Sequence, residues 1–221
     1  MVIMILKLVA SLVVAGVAFL VGECLRRRLR ESNEVSRKLV HVTHGLLVAS
    51  WPFVLGETWG YYLVIALEIL FLISVVAARR LHFFRWMWKV GRKSWGEVLY
   101  PIGIVSAAAL SENRWVFLAA VLSLAVADAV AALVGKRFGR NNSYRILGQT
   151  KSVAGSAAFL VAALGIVSIV TVYGPGLHLE SVMATVVGIS LLLMVVENAG
   201  VYGMDNLTLP LASALLLNTL Y

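Results

Sequence analysis

The stretch Leu122–Arg140, LSLAVADAVAALVGKRFGR, decides how this chain is read. It continues an apolar run that begins at Trp115, carries one carboxylate, Asp128, and ends in two glycines and a basic cluster. The run 115–135 is long enough for a helix that crosses the ~30 Å hydrocarbon core of a bilayer. Lysines and arginines just beyond it mark a cytoplasmic end. An ionised side chain at membrane depth costs at least ~2.5–3 kcal/mol even on the lenient insertion scale, so Asp128 needs a reason.

Composition agrees with that reading. The chain is 61% hydrophobic and 14% charged over 221 residues, whereas soluble domains are about 45–50% apolar and about 25% charged. This predicts an all-α, polytopic transmembrane helix bundle. Residues 1–221 form a single integral membrane domain, multi-pass, in the plasma membrane if the cell is prokaryotic. The net charge of +8 is assigned to loops facing anionic lipid or anionic ligands and not to nucleic acid. One cysteine, Cys24, excludes an internal disulfide. Residues 1–22 are apolar and precede RRRLR; a cleavable signal has its charge before the apolar core, so this segment reads as a retained helix.

Eight spans are expected, with seven as the alternative: 3–22, 39–56, 60–78, 97–111, 115–135, 153–173, 181–200 and 207–221. The fourth and the last are short and contain Pro101 and Pro210, which break the hydrogen-bond ladder. Loops 23–38, 79–96 and 136–152 hold 17 of the 19 lysines and arginines, and they are alternate loops. The positive-inside rule makes them cytoplasmic and puts the N-terminus outside. Labelling is then expected to find Arg92 and Tyr144 inside and Gly176 outside.

With that topology, polar groups distant in sequence converge on the cytoplasmic face, within 36–211. They are SRKLVHVTHG (36–45), GRKSWGEVLYP (91–101) with Glu97, Asp128, GQTKSVAGS (148–156) and VENAGVYGMDNLTLP (196–210). Each also has a plain structural reading. Arg37 and Lys38 are ordinary interfacial anchors on one view. His41 and His44 share a helix face, as hydrogen-bonded bundle residues or as half of a metal site for which no third ligand stands nearby. Glu68 lies mid-membrane, a neutral or helix-bonded group as readily as a functional one; His82 and His178 carry no signal. Asp128 either pairs with a lysine or arginine of a neighbouring helix or holds a metal. Gly135 and Gly139 have the spacing of a helix-packing motif, which also lets phosphate approach. Lys136, Arg137, Arg140 and Lys151 surround the start of a helix, where free N–H groups favour an anion. A carboxylate beside such a cradle suits Mg²⁺ with a nucleotide, although the Walker A spacing is absent. Asp205 and Asn206 form an acidic–amide pair or a helix cap, and Glu197 with Asn198 adds polarity at the same end.

In order, SRKLVHVTHG, WGEVLYPIG, ADAVAALVGKRFG, TKSVAGS and VENAGVYGMDNLTLP resemble the family of polyprenol and phytol kinases. That family takes in dolichol kinases, phytol kinases and CTP-dependent diacylglycerol kinases, and is related to phosphatidate cytidylyltransferases. The resemblance implies transfer of the γ-phosphoryl group of a nucleotide, typically CTP, to a membrane-dissolved lipid alcohol, with Mg²⁺ or Mn²⁺. It makes Asp128 the principal metal-binding carboxylate, with Asp205 as a second candidate. Lys151, Ser152, Gly155 and Ser156 become the phosphate segment, which Gly135, Lys136 and Gly139 flank. Arg37, Lys38 and His41 match the family's basic–histidine block, and Asp205 and Asn206 its late block. Ala154 stands where dolichol- and diacylglycerol-kinase members often carry glutamate, which points to the phytol-kinase branch. The catalytic set is then Asp128, Lys151 and His41, with His41 the first choice of general base and Asp205 the second. A CDP-lipid synthase, a diacylglycerol kinase and a small transporter remain as alternatives. The alcohol, the nucleotide base and the oligomeric state are left open.

Overall fold

The computed structural model describes residues 3, 5–14, 16, 17, 33–80, 95–174 and 182–221. Cys24, the basic run at 26–30, His82, Arg92, Gly176 and His178 lie outside the described residues. The described helices are α1 (Ile5–Val14), α2 (Asn33–Leu55), α3 (Glu57–Arg80), α4 (Gly96–Leu110), α5 (Arg114–Leu122), α6 (Asp128–Phe138), α7 (Val153–Tyr173), α8 (Val182–Ala199) and α9 (Asp205–Asn218). A π-helical turn, Ser123–Ala127, joins α5 to α6 without a break. A hairpin of β1 (Ser143–Ile146) and β2 (Gln149–Ser152) connects α6 to α7.

The all-α membrane-type bundle is as expected. Among the described residues five helices are long and apolar enough to cross a membrane: Arg37–Leu55, Glu57–Ala77, Arg114–Phe138, Val153–Tyr173 and Val182–Ala199. Helices α2 to α9 run alternately between two ends, α5 and α6 together making one passage. At one end Arg114 stands 3.9 Å from Glu57, Asn218 donates to the Leu110 carbonyl and the Tyr221 hydroxyl donates to that of Val170. At the other, the basic end, the Trp95 amide donates to the Tyr202 carbonyl and the Val153 amide to that of Asn142. The short helices α4 and α9 run between these same two ends.

Local chemistry explains the boundaries. Gly56, at φ +84°, ends α2 and lets the chain reverse into α3. Asn113 caps α5, its side-chain oxygen accepting from the amides of Trp115 (2.9 Å) and Val116 (3.1 Å). Asn113→Ala should therefore lower stability by about 1 kcal/mol, seen as a lower melting temperature with unchanged helicity. Small residues set the close crossings. Gly45 lies against Ala125, and Gly103 of α4 lies against the Asn206 carbonyl of α9. Around these crossings Phe117, Ile104, Leu124, Phe159, Leu193 and Leu209 form a buried core.

Two elements depart from the expectation for 115–152. The π turn has no proline or glycine to announce it; the Asp128 amide bonds to the Ser123 carbonyl, one residue further back than in an α-helix. The loop expected at 136–152 holds the hairpin. Its turn residues Leu147 and Gly148 both have positive φ (47° and 79°), the primed-turn geometry that matches strand twist. Tyr144 and Ile146 alternate inward, a period-two signal that the sequence did carry.

Candidate functional site

Depth along the helices gathers the polar groups. Asp128 follows the Asn113 cap by fifteen residues, Asp205 precedes the end of α9 by thirteen, and Glu197 follows the start of α8 by fifteen. At 1.5 Å per residue all three stand about 20–22 Å from the far end, in one layer. Lys38, seventeen residues before the end of α2, reaches the same layer.

The pairings within that layer are specific. Lys38 donates to Asp128 Oδ2, and both residues are buried. Lys151 Nζ lies 2.5 Å from Glu197 Oε1 and 3.0 Å from the Glu197 carbonyl oxygen, which ties β2 to the end of α8. Asp205 lies within electrostatic reach of Asp128, Lys38, Lys151 and Glu197, so the two ion pairs and Asp205 form one charged cluster. Asp205 Oδ1 accepts from the Asn206 amide at 3.1 Å. Asn206 is buried, its side-chain oxygen without a hydrogen-bond partner among the described residues. No side-chain hydrogen bond caps α9, and Asp205 sits in its first turn, where a carboxylate suits the helix dipole.

The TKSVAGS segment enters α7 as expected, and its groups are partnered. Ser152 is the cap, its Oγ accepting from the Gly155 amide at 3.0 Å. Ser156 Oγ is 2.6 Å from the Tyr144 hydroxyl and donates to Asn198 Oδ1 at 3.0 Å. Tyr144 itself donates to Asn198, so the hairpin, α7 and α8 are stitched at one point. A Cβ on Gly155 would come 2.9 Å from the Ala131 carbonyl oxygen and 3.0 Å from Ser152 Oγ, and one on Gly135 3.0 Å from the same Oγ. Gly139 likewise faces Ser152. The three glycines thus let α6 and α7 close on each other around the Ser152 cap.

His41 lies between this layer and the middle of the bundle. Its ring packs on Tyr100 with centroids 4.2 Å apart, and its carbonyl accepts from the Tyr100 hydroxyl at 2.9 Å. His41 Nδ1 is buried without a hydrogen-bond partner among the described residues. Arg37, Glu97 and Lys136 all engage neighbours; Lys136 and Arg137 stand in the last turn of α6, Arg137 over the Phe138 ring. Sequence reasoning passed over Tyr100 and used Tyr144 only as a topology marker. The missed signal for Tyr144 is the strand alternation that turns it inward; for Tyr100 it is the spacing of three from Glu97.

Among the described residues no three His, Cys, Asp or Glu side chains converge to form a metal cage. The layer instead offers carboxylates from α6, α8 and α9, two of them already engaged by lysines. Such a donor set fits a hard cation that takes one or two carboxylates and completes its shell with phosphate oxygens and water.

A phytol kinase of Synechocystis sp. is 31% identical to this chain over 207 residues, covering 91% of the chain and 85% of that protein. No family model and no solved structure matches. With a match that covers nearly the whole chain, the protein belongs to the polyprenol and phytol kinase family.

Proposed function

We propose that the chain transfers the γ-phosphoryl group of CTP to the hydroxyl of an isoprenoid alcohol (phytol, geranylgeraniol or a polyprenol) at the cytoplasmic face of the membrane. The observation that carries this reading is the layer of Asp128, Glu197, Asp205, Lys38 and Lys151 at the basic end of an apolar bundle, in a chain that aligns along most of its length with a phytol kinase.

Phosphoryl transfer asks chiefly for positioning and charge neutralisation. Asp128 and Asp205 would hold a Mg²⁺ (or Mn²⁺), whose chemistry is to neutralise the nucleotide's phosphates. Lys38 and Lys151 stand preloaded on carboxylates; an incoming triphosphate lets each exchange its carboxylate for phosphate oxygens with little movement. The start of α7, with Ser152, Gly155 and Ser156, lies beside Lys151; to donate to the same phosphates the Gly155 amide and the Ser156 hydroxyl would exchange their present partners, Ser152 and Asn198, as the lysines exchange their carboxylates. His41, with an unpartnered buried nitrogen among the described residues, is the candidate to take the hydroxyl's proton.

The test is product analysis with γ-labelled CTP, the purified chain and an isoprenoid alcohol. Label on the lipid is the expected result. Label released in pyrophosphate would mean attack at the α-phosphate, and so a CDP-lipid synthase. Running CTP, ATP and UTP against phytol, geranylgeraniol, a polyprenol and diacylglycerol identifies donor and acceptor together.

A further inference from the structure

Glu68 lies apart from the charged layer. It is eleven residues from Glu57 along α3, about 16 Å from the start of that helix and near the middle of the bundle. It is 1% exposed. His44 Nε2 approaches its Oε1 to 3.1 Å, yet no donor among the described residues is aligned on either carboxylate oxygen, and His44 Nδ1 is buried and unpartnered as well. Beside Glu68 a cavity of about 110 Å³ lies between α3 and α4, walled by Leu72, Pro101, Ile102, Val105 and Ser106, whose hydroxyl is already given to the Ile102 carbonyl. Ile69 at its edge is 45% exposed, so the cavity opens on the apolar surface that these helices turn to lipid. Its volume far exceeds the ~10–15 Å³ that one water needs.

A buried carboxyl with unmet hydrogen-bonding capacity beside an apolar cleft suits an apolar molecule that carries one hydroxyl. A hydroxyl both donates and accepts, so it satisfies the group as carboxylate or as acid. We propose that the α3–α4 cleft is where the acceptor alcohol enters from the bilayer, its hydroxyl held by Glu68 and the head of its chain against Leu72, Ile102 and Val105. The inference rests on the lipid-alcohol kinase reading and narrows its acceptor. A single-chain isoprenoid alcohol brings only its hydroxyl to this depth. A diacylglycerol brings two ester groups that would lie unpaired between apolar walls.

Tyr100 marks the way onward. Its ring packs against both His41 and His44, and its hydroxyl lies within electrostatic reach of both Glu68 and Asp128. Lys38 precedes His44 by six residues on α2, so the hydroxyl has roughly 9 Å to travel from the cleft to the Asp128 layer.

The experiment uses the full chain in lipid nanodiscs and geranylgeraniol carrying a diazirine near its hydroxyl end. Cross-links are expected at 68–72 and 101–106, competed by unlabelled geranylgeraniol and not by the matched hydrocarbon without a hydroxyl. Glu68→Leu should lower the competed labelling and raise KM for the alcohol about tenfold, the worth of one hydrogen bond to a buried carboxyl, with KM for the nucleotide unchanged. Glu68→Gln keeps an acceptor and should retain most of the labelling. A melting temperature of Glu68→Leu at or above the parent's shows that the loss is one of binding. Cross-links confined to other helices, equal competition by the hydrocarbon, or parental labelling in Glu68→Leu would overturn the cleft. Asp128→Asn separates the two readings, since it should lose transfer and keep the labelling. Glu68-dependent labelling with no phosphorylated product from any nucleotide would sink the kinase reading and leave the cleft standing.

Discussion

Asp128→Asn should lower phosphoryl transfer by at least about 10³-fold while the protein still inserts and folds. The substitution keeps the size of the side chain and an oxygen that accepts from Lys38, and removes the charge that the cation proposed for the nucleotide would require. Loss of a single preorganised electrostatic group already costs ~10²–10³ in turnover, and Asp128 is asked to serve both the cation and Lys38. Its pairing with Lys38 adds a complication for the experimenter. Removing one partner of a buried ion pair leaves the other charge stranded, at about 3–5 kcal/mol, and an Ala substitution would confuse misfolding with lost chemistry. The double variant Lys38→Met, Asp128→Leu removes both charges, and well-packed apolar replacements of buried pairs are often neutral or stabilising. It should melt near the parent temperature and be inactive. The checks are labelled-nucleotide transfer and thermal unfolding measured on one preparation. If Asp128→Asn transfers phosphate within about tenfold of the parent, a loss of only ~1.4 kcal/mol, Asp128 is a structural partner of Lys38 and the metal assignment falls.

The second large effect concerns a position with no polar atom in its side chain. A Cβ on Gly103 would collide with the Asn206 backbone oxygen and come 2.9 Å from the Pro210 ring. Both obstacles belong to the first turns of α9 and neither is the flexible end of a long side chain. Gly103→Leu must therefore push α4 and α9 apart at the point where Asp205 and Asn206 enter the charged layer. Overpacking of this kind costs about 1–3 kcal/mol, although leucine is the better helix former by up to about 1 kcal/mol. A displacement of ~1 Å at a catalytic group is worth about 10²-fold in rate, so activity should fall by that order even where the protein remains folded. Gly165→Leu is the control. A Cβ there meets nothing within 4 Å among the described residues, so activity should stay at the parental value and the melting temperature at or slightly above it. Loss of activity in both variants would mean that added bulk, and not the α4–α9 crossing, is responsible.

Much of the helix layout was legible beforehand because each apolar run is a property of the chain itself. The expected spans 60–78, 153–173 and 181–200 sit on α3, α7 and α8 with ends within a few residues. The short runs 97–111 and 207–221 form α4 and α9, which alternate with the rest despite their prolines. For α2 the helix begins earlier than 39, since Lys38 is buried on Asp128 and Asn33–Ser36 continue the helix beyond the apolar run. The hairpin was hidden because the polar and mixed residues between two spans read as an ordinary loop, and only Tyr144 and Ile146 betray the alternation.

The candidate site was legible as a set of charged residues at one end of the bundle and illegible as a set of pairs. Asp128, Lys38, Lys151, Glu197 and Asp205 all stood out as charges at the ends of apolar runs. Nothing along the chain said that Lys38 meets Asp128 while Lys151 meets Glu197. Residue type, apolar length and the charge of the loops are local quantities, and from them the sequence by itself determined an all-α membrane-type bundle with its polar groups at one end. Partnership depends on how each helix is rotated about its axis and how closely two helices approach. The π turn at Ser123–Ala127 adds one residue to a turn and so rotates α6 about its axis by about 100° relative to α5, and Gly45, Gly103 and Gly155 set the approach. Rotation and approach are decided by packing against other helices, so only the tertiary structure placed Asp128 on Lys38 and Glu68 beside an open cleft.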